Sequence, residues 1–169
     1  MTEKTNCDYA EELAKNGVIA FVPSGNSMWP TLKHKGQSVI VKLKKEKLKP
    51  MDVALYRREN GSNVLHRVIQ TNDFGYVMCG DSQFTLEKVK EESVYGVMVG
   101  FYRGKRYIET TDPEYIEQVN RWYSDETRRH ARVKAFFFVN RLKSLPKRIL
   151  RLPKRLLRRL FGRKGRRRK

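Results

Sequence analysis

The sequence predicts a mainly β protein: a compact antiparallel β domain followed by C-terminal helices. Two observations carry this. Short apolar or alternating runs recur between Val18 and Glu109, and clusters of Gly, Asn, Asp and Pro separate them at close spacing. Helical periodicity is confined to a short segment before the first run and to the residues after Glu109.

Asp8 to Lys15 reads as a short helix with Tyr9, Ala10 and Leu13 on one side, ended by Asn16-Gly17, where glycine suits the position past the last turn. Val18–Val22 is a short buried strand stopped at Pro23. After a serine-bearing loop and a turn at His34-Lys35-Gly36, Ser38–Leu43 alternates, with Val39, Val41 and Leu43 on one face. The lysine-rich stretch Lys42 to Lys49 is a solvated edge or loop, and the Lys49–Asp52 turn enters a strand over Val53–Tyr56. Asn60-Gly61 is a hairpin signal, and Val64–Ile69 is the returning strand. Asn72–Gly75 turns into Tyr76–Cys79, Gly80-Asp81 breaks that strand, and Val94–Tyr102 and Arg106–Glu109 are joined at Gly104. Asp112, Pro113 and Glu114 mark a helix start as cap, first-turn proline and dipole-favoured acid. Residues 1–110 are therefore read as the β domain, 111–125 as a helix docked on it, and 126–169 as a tail.

Charge separates the body from the tail. Residues 1–120 hold 17 Lys/Arg against 16 Asp/Glu, whereas residues 121–169 hold 20 against 2. Cys7 and Cys79 make no disulfide framework and lack metal-ligand spacing, so a reducing compartment, no metal and no cofactor are expected. The first 15 residues are polar, without a secretory signal, and no window of about 18 apolar residues is present to span a membrane.

The stretch Gly25-Asn26-Ser27-Met28-Trp29-Pro30 delivers a serine from a small-residue loop into large apolar neighbours. Gly25 allows close backbone approach, and Pro30 biases Trp29 toward an extended conformation. Such a corner suits a nucleophile beside an apolar substrate groove, with Gly25, Met28, Trp29 and Pro30 touching substrate; the plain reading is a turn serine beside an exposed tryptophan. Strand alternation puts His66 on one face with Val64 and Val68, half-buried. There it is a core histidine or a base. Gly80-Asp81 supplies a strand-end carboxylate, and Glu87 a second. A serine hydroxyl needs a base, and the base needs an orienting partner. Ser27, His66 and one of the two acids make such a set.

These islands fall in order: Ser27-Met28-Trp29-Pro30, Gly36 to Val41, Lys49 to Tyr56, Leu65-His66-Arg67-Val68, Gly80-Asp81 and Val94-Tyr95-Gly96. Over residues 17–104 the chain resembles the signal peptidase and LexA-type serine peptidase superfamily. The resemblance implies a β-rich fold with a peptide groove beside the serine. A histidine where bacterial members carry a lysine base is similar to the Ser-His signal peptidase branch. It implies Ser27 as nucleophile and His66 as base, with Asp81 matching the first acid and Glu87 near the second. Departures are Ser82 in place of an asparagine, Gln37 after Gly36, and Pro50-Met51 before Asp52. Some members add a hydroxyl to the oxyanion hole two residues before the serine. That place is Gly25, which leaves most of the work to the Ser27 amide. The 26 residues before Ser27 contain neither the usual membrane span nor a DNA-binding domain, so a free-standing peptidase core is expected.

In the tail, Val133, Phe136, Phe137, Val139 and Leu142 recur at helical spacing among basic residues, and Leu-Pro-Lys-Arg occurs at both 145–148 and 152–155. Leu152, Leu156, Leu157, Leu160 and Phe161 form an apolar face opposite arginines, and the last eight residues read as a disordered basic end. A wide apolar stripe opposite arginine suits a helix lying in an anionic membrane interface, where each basic residue contributes about 1 kcal/mol. Nucleic acid and packing against a partner or the body are the alternatives. The expected protein is a serine endopeptidase that cuts an extended segment of a precursor or leader peptide, cytoplasmic and peripheral at the inner face of the membrane. A degenerate peptide-binding module of the same fold and a nucleic-acid-binding protein acting through its tail are the rival readings. The sequence leaves oligomeric state open.

Overall fold

Asp8 accepts a hydrogen bond from the Ala10 amide and opens helix α1 (Tyr9–Asn16), which closes at Gly17 with φ 72°. That left-handed residue is the stop its glycine predicts. The computed structural model describes residues 8–33 and 36–144. The chain divides into two compact units, 1–126 and 127–169.

The first unit holds eight antiparallel strands: β1 (Val18–Phe21), β2 (Val39–Leu43), β3 (Val53–Arg57), β4 (Asn63–Asn72), β5 (Gly75–Cys79), β6 (Glu87–Lys90), β7 (Val94–Arg103) and β8 (Arg106–Glu109). Their spatial order is β1-β2-β7-β3-β4-β5-β6, with β8 also pairing β7. A 3-10 turn at Glu91–Ser93 leads into β7. The fold is mainly β with C-terminal helices, as the sequence predicts. One strand, β6, is not foreseen: Glu-Lys-Val-Lys buries only Val89 and exposes both lysines, so it carries too little apolar signal.

Strand β3 is buried on both faces, and this sets the core. Val53 and Leu55 join one cluster with Leu13, Ile19, Val41, Met98 and Phe101. Ala54 and Tyr56 point the other way, into a second cluster with Val68, Tyr76, Met78 and Val89. A continuous apolar run is what burial on both sides requires. Among the described residues, two of the unpaired strand edges bear on the site. β1 has a ladder only with β2, and the β4–β5 ladder begins at Arg67↔Cys79. Asn63–His66 therefore pair with β3 on one side and with no strand on the other, among the described residues.

Helix α2 (Pro113–Tyr123) starts at its Asp112 cap and buries Tyr115, Val119 and Trp122. Helix α3 (Glu126–Ser144) lies almost wholly in the second unit. On α3 the rings of Phe136 and Phe137 meet edge to face at 5.4 Å. Phe137, Phe138, Val139 and Leu142 are exposed. The expected membrane-facing residues Leu152, Leu156, Leu157, Leu160 and Phe161 lie outside the described residues. Among the described residues no helix is long and apolar enough to cross a membrane.

Candidate active site

Ser27 sits in a run of tight turns held from two sides. Trp29 N donates to Asn26 O at 3.0 Å and Leu32 N to Met28 O at 2.8 Å, while Met28 and Leu32 are buried in the first cluster. The segment after β5 grips the same loop from outside. Ser82 N donates to Ser27 O at 2.8 Å, and Ser82 Oγ donates to Asn26 O at 2.8 Å. Gly80 is obligatory here, since an added Cβ would lie 2.7 Å from Ser27 O. The Trp29–Pro30 peptide bond is cis.

Ser27 and His66 line one cleft of about 400 Å³. Its walls include Tyr9, Phe21, Gly25, Met28 and Leu65, with Lys33, Arg58 and Gln83 as polar members. Tyr9 stacks on Phe21 at 4.6 Å, so α1 builds part of the wall. The Ser27 side chain makes no hydrogen bond among the described residues. Of the expected substrate-touching residues, Gly25 and Met28 line the cleft, while Trp29 and Pro30 do not. The Trp29 ring packs edge-on against Trp122 of α2 at 5.5 Å, and that contact takes it away from the groove.

The register of β3 and β4 places the histidine. Ala54 opposes His66 and Tyr56 opposes Val64, so Tyr56 and His66 share a face one diagonal step apart. His66 is 2% exposed, more buried than its sequence suggests. Its Nδ1 lies 3.2 Å from the Tyr56 hydroxyl and 3.4 Å from Glu87 Oε1. Tyr56 in turn donates to Glu87 Oε2 at 3.0 Å. Burial and the Glu87 carboxylate push the Tyr56 phenol far above its usual range, so it stays a donor. With the single Tyr56 proton directed at Glu87, the group between Tyr56 and His66 must be Nδ1–H. The Nε2 lone pair is then the free one.

Glu87 reaches this face because β6 pairs Met78↔Glu87 and Tyr76↔Val89, which puts Glu87 on the same side as core Val89. Arg58 grips its carboxylate with Nε 2.8 Å from Oε2 and with Nη2 on Oε1. Burial acts to raise the Glu87 carboxyl, but the Arg58 and Tyr56 hydrogen bonds outweigh it and hold it ionised below the ordinary glutamate value. His66 is shifted down: burial opposes its charged form, and Glu87 only partly offsets this.

Asp81, expected as the primary orienting acid, is committed elsewhere. Its carboxylate is 0% exposed and takes Arg67 Nε at 2.7 Å and Nη2 at 2.8 Å. Tyr123 donates to Oδ1 at 2.7 Å, and Thr31 donates to Oδ2. Burial alone would raise this carboxyl, but the Arg67 charge outweighs it and lowers it. With its oxygens held by these donors, Asp81 is a structural anchor, and the carboxylate beside His66 is that of Glu87. Trp122 adds a bond from its indole Nε1–H to Asp81 O at 3.0 Å. No sequence motif marks Tyr56 or Arg58. A hydroxyl inside the apolar run Val-Ala-Leu-Tyr, on the face of His66, was the available signal.

Comparison with protein families, curated proteins and solved structures finds no match to this chain. Among the described residues no cluster of His, Cys, Asp and Glu could hold a metal ion. The chemistry this arrangement offers is that of a hydroxyl and an imidazole, the latter backed by a phenol and an ionised carboxylate.

Proposed function

We propose that the chain is a serine endopeptidase of the signal peptidase and LexA type, Ser-His branch, acting on an extended segment of a precursor or leader peptide. The observation that carries this is the shared cleft: Ser27 lines it together with a histidine whose Nδ1 is occupied by Tyr56 and Glu87. His66 Nε2 takes the Ser27 proton as Oγ attacks the peptide carbonyl, and Glu87 stabilises the imidazolium that forms. The imidazolium then gives its proton to the leaving amine. Water repeats the sequence on the acyl-serine ester and releases the second product. The Ser27 backbone amide is the donor assigned to the oxyanion.

The cleft geometry supports an extended substrate. Phe21 and Val22, at the end of β1, and Asn63–His66, on the unpaired stretch of β4, all line the cleft. A peptide strand laid between them gains main-chain hydrogen bonds from two sides. The basic segment after Glu126 holds the protein at the inner, anionic face of a membrane. Residues 127–169 carry 19 Lys/Arg and no acid, and α3 exposes Phe137, Phe138 and Leu142. Covalent labelling by a fluorophosphonate decides the chemistry: the wild-type chain should label and Ser27→Ala should not. Absence of labelling in the wild type would leave a peptide-binding module of the same fold.

A further inference from the structure

Arg58 follows directly on β3, which ends at Arg57, and lines the candidate cleft beside His66. Its fork holds both Glu87 oxygens, a bidentate pairing that fixes orientation as well as charge. Glu87 stands at the first position of an edge strand with 24% of its side chain exposed, so the strand alone does not hold the carboxylate against Tyr56. We propose that Arg58 is a positioning residue of this site: its fork pairs the charge of Glu87, and this pairing, added to burial, leaves the imidazole neutral and ready to accept a proton. The inference rests on the peptidase reading for its catalytic meaning.

The need for such a counter-charge follows from the surroundings of His66. Glu87 from β6 and Tyr56 from β3 lie against it, Asp81 after β5 acts on it through its charge, and Lys33 lines the same cleft from the serine loop. Asp81 is already neutralised by Arg67. Glu87 is therefore the acid that draws a proton onto the imidazole, and Arg58 is the cation paired with it. An uncompensated carboxylate within 4–6 Å typically raises such a group by one unit or more. A histidine protonated at rest cannot act as base.

The test reads the imidazole directly. Titration of the His66 ring by NMR in the full-length chain, assigned with His66→Gln, would be compared for wild type, Arg58→Gln, Arg58→Lys and Glu87→Gln. Arg58→Gln should raise the His66 midpoint by about one pH unit, a tenfold gain in proton affinity. Arg58→Lys should retain most of the wild-type value, and Glu87→Gln should lower it. The acid limb of kcat/KM should move with the midpoint in each variant. An Arg58→Gln midpoint that stays put or falls overturns the inference, even if the wild type hydrolyses peptide. A midpoint that rises in a chain that neither hydrolyses peptide nor labels upholds the counter-charge and removes the peptidase reading.

Discussion

The Tyr56 hydroxyl lies 3.2 Å from His66 Nδ1 and donates to Glu87 Oε2 at 3.0 Å. The phenol thus bridges the imidazole and its carboxylate, whose Oε1 also lies 3.4 Å from Nδ1, and the arrangement leaves His66 Nε2 as the basic nitrogen. The first prediction comes from this arrangement. Ser27→Ala and His66→Ala should each abolish turnover, and the double variant should be no slower than either single one, because members of one catalytic unit are strongly non-additive. Single-turnover assays of the three proteins check it; near wild-type activity in His66→Ala would sink the assignment.

Glu87 and Asp81 should separate by kind of damage. Glu87→Gln should reduce kcat by about 10² to 10⁴ with the melting temperature little changed, because the amide disturbs the tautomer. Asp81→Asn should cost roughly 3–5 kcal/mol of stability, since it leaves the Arg67 charge buried without its partner. Urea denaturation beside steady-state kinetics reads both. A stable, inactive Asp81→Asn would return the catalytic role to Asp81.

Acid should weaken the fold in two steps. The His66 pKa lies below its ordinary 6.5, chiefly through burial, so the unfolded chain takes up this proton first. Stability is therefore flat above 6.5 and declines as pH falls toward the folded value. Asp81 and Glu87 are lowered below their ordinary 3.8 and 4.5, so the stabilisation they supply is present above those values and lost as pH falls through the folded ones. Thermal melts from pH 8 to 3 should show both losses, and His66→Gln should remove the upper one. Catalysis should rise with pH along a limb centred below 6.5, where the imidazole becomes neutral.

Gly80→Ala tests the grip on the serine loop. The new Cβ would meet Ser27 O at 2.7 Å, a backbone atom that cannot rotate away. Displacement of Ser27 should lower kcat/KM by up to about 100-fold, the loss a misplacement of about 1 Å brings. The accompanying stability loss should be about 1–3 kcal/mol. Unchanged kinetics would mean that the loop tolerates the shift.

A chain ending at Glu126 should fold and cleave a soluble peptide yet lose binding to anionic vesicles. It retains 18 Lys/Arg and 18 Asp/Glu, and with them no net charge. In the full chain, Leu156→Asp with Leu160→Asp should weaken vesicle flotation sharply while every basic residue remains. Tight, salt-sensitive binding to RNA or DNA without flotation would replace the membrane by nucleic acid.

Local signals carried most of the fold. Asp8 and Gly17 cap α1, Asp112 and Pro113 open α2, and the Asn60-Gly61 turn joins β3 to β4, because each depends on backbone conformations that particular residues favour. Ser27 and His66 could be paired on residue type alone. The partner of His66 could not, because it depends on β6, which has one buried apolar residue, and on a β5–β6 register invisible in sequence. Trp29 misled for a similar reason: a tryptophan beside a nucleophile reads as substrate wall until a second tryptophan, 93 positions on, is found against it.

Asp81 gathers Thr31 from the serine loop, Arg67 from β4, and Tyr123 and Trp122 from α2. The helix is thus part of the framework that holds Asp81, and a boundary drawn at residue 110 would cut through it. Every residue named in the site lies before Glu126, in the first unit. A graft of the β domain that leaves α2 behind would carry Ser27 and His66 and still lack the brace that keeps them in place.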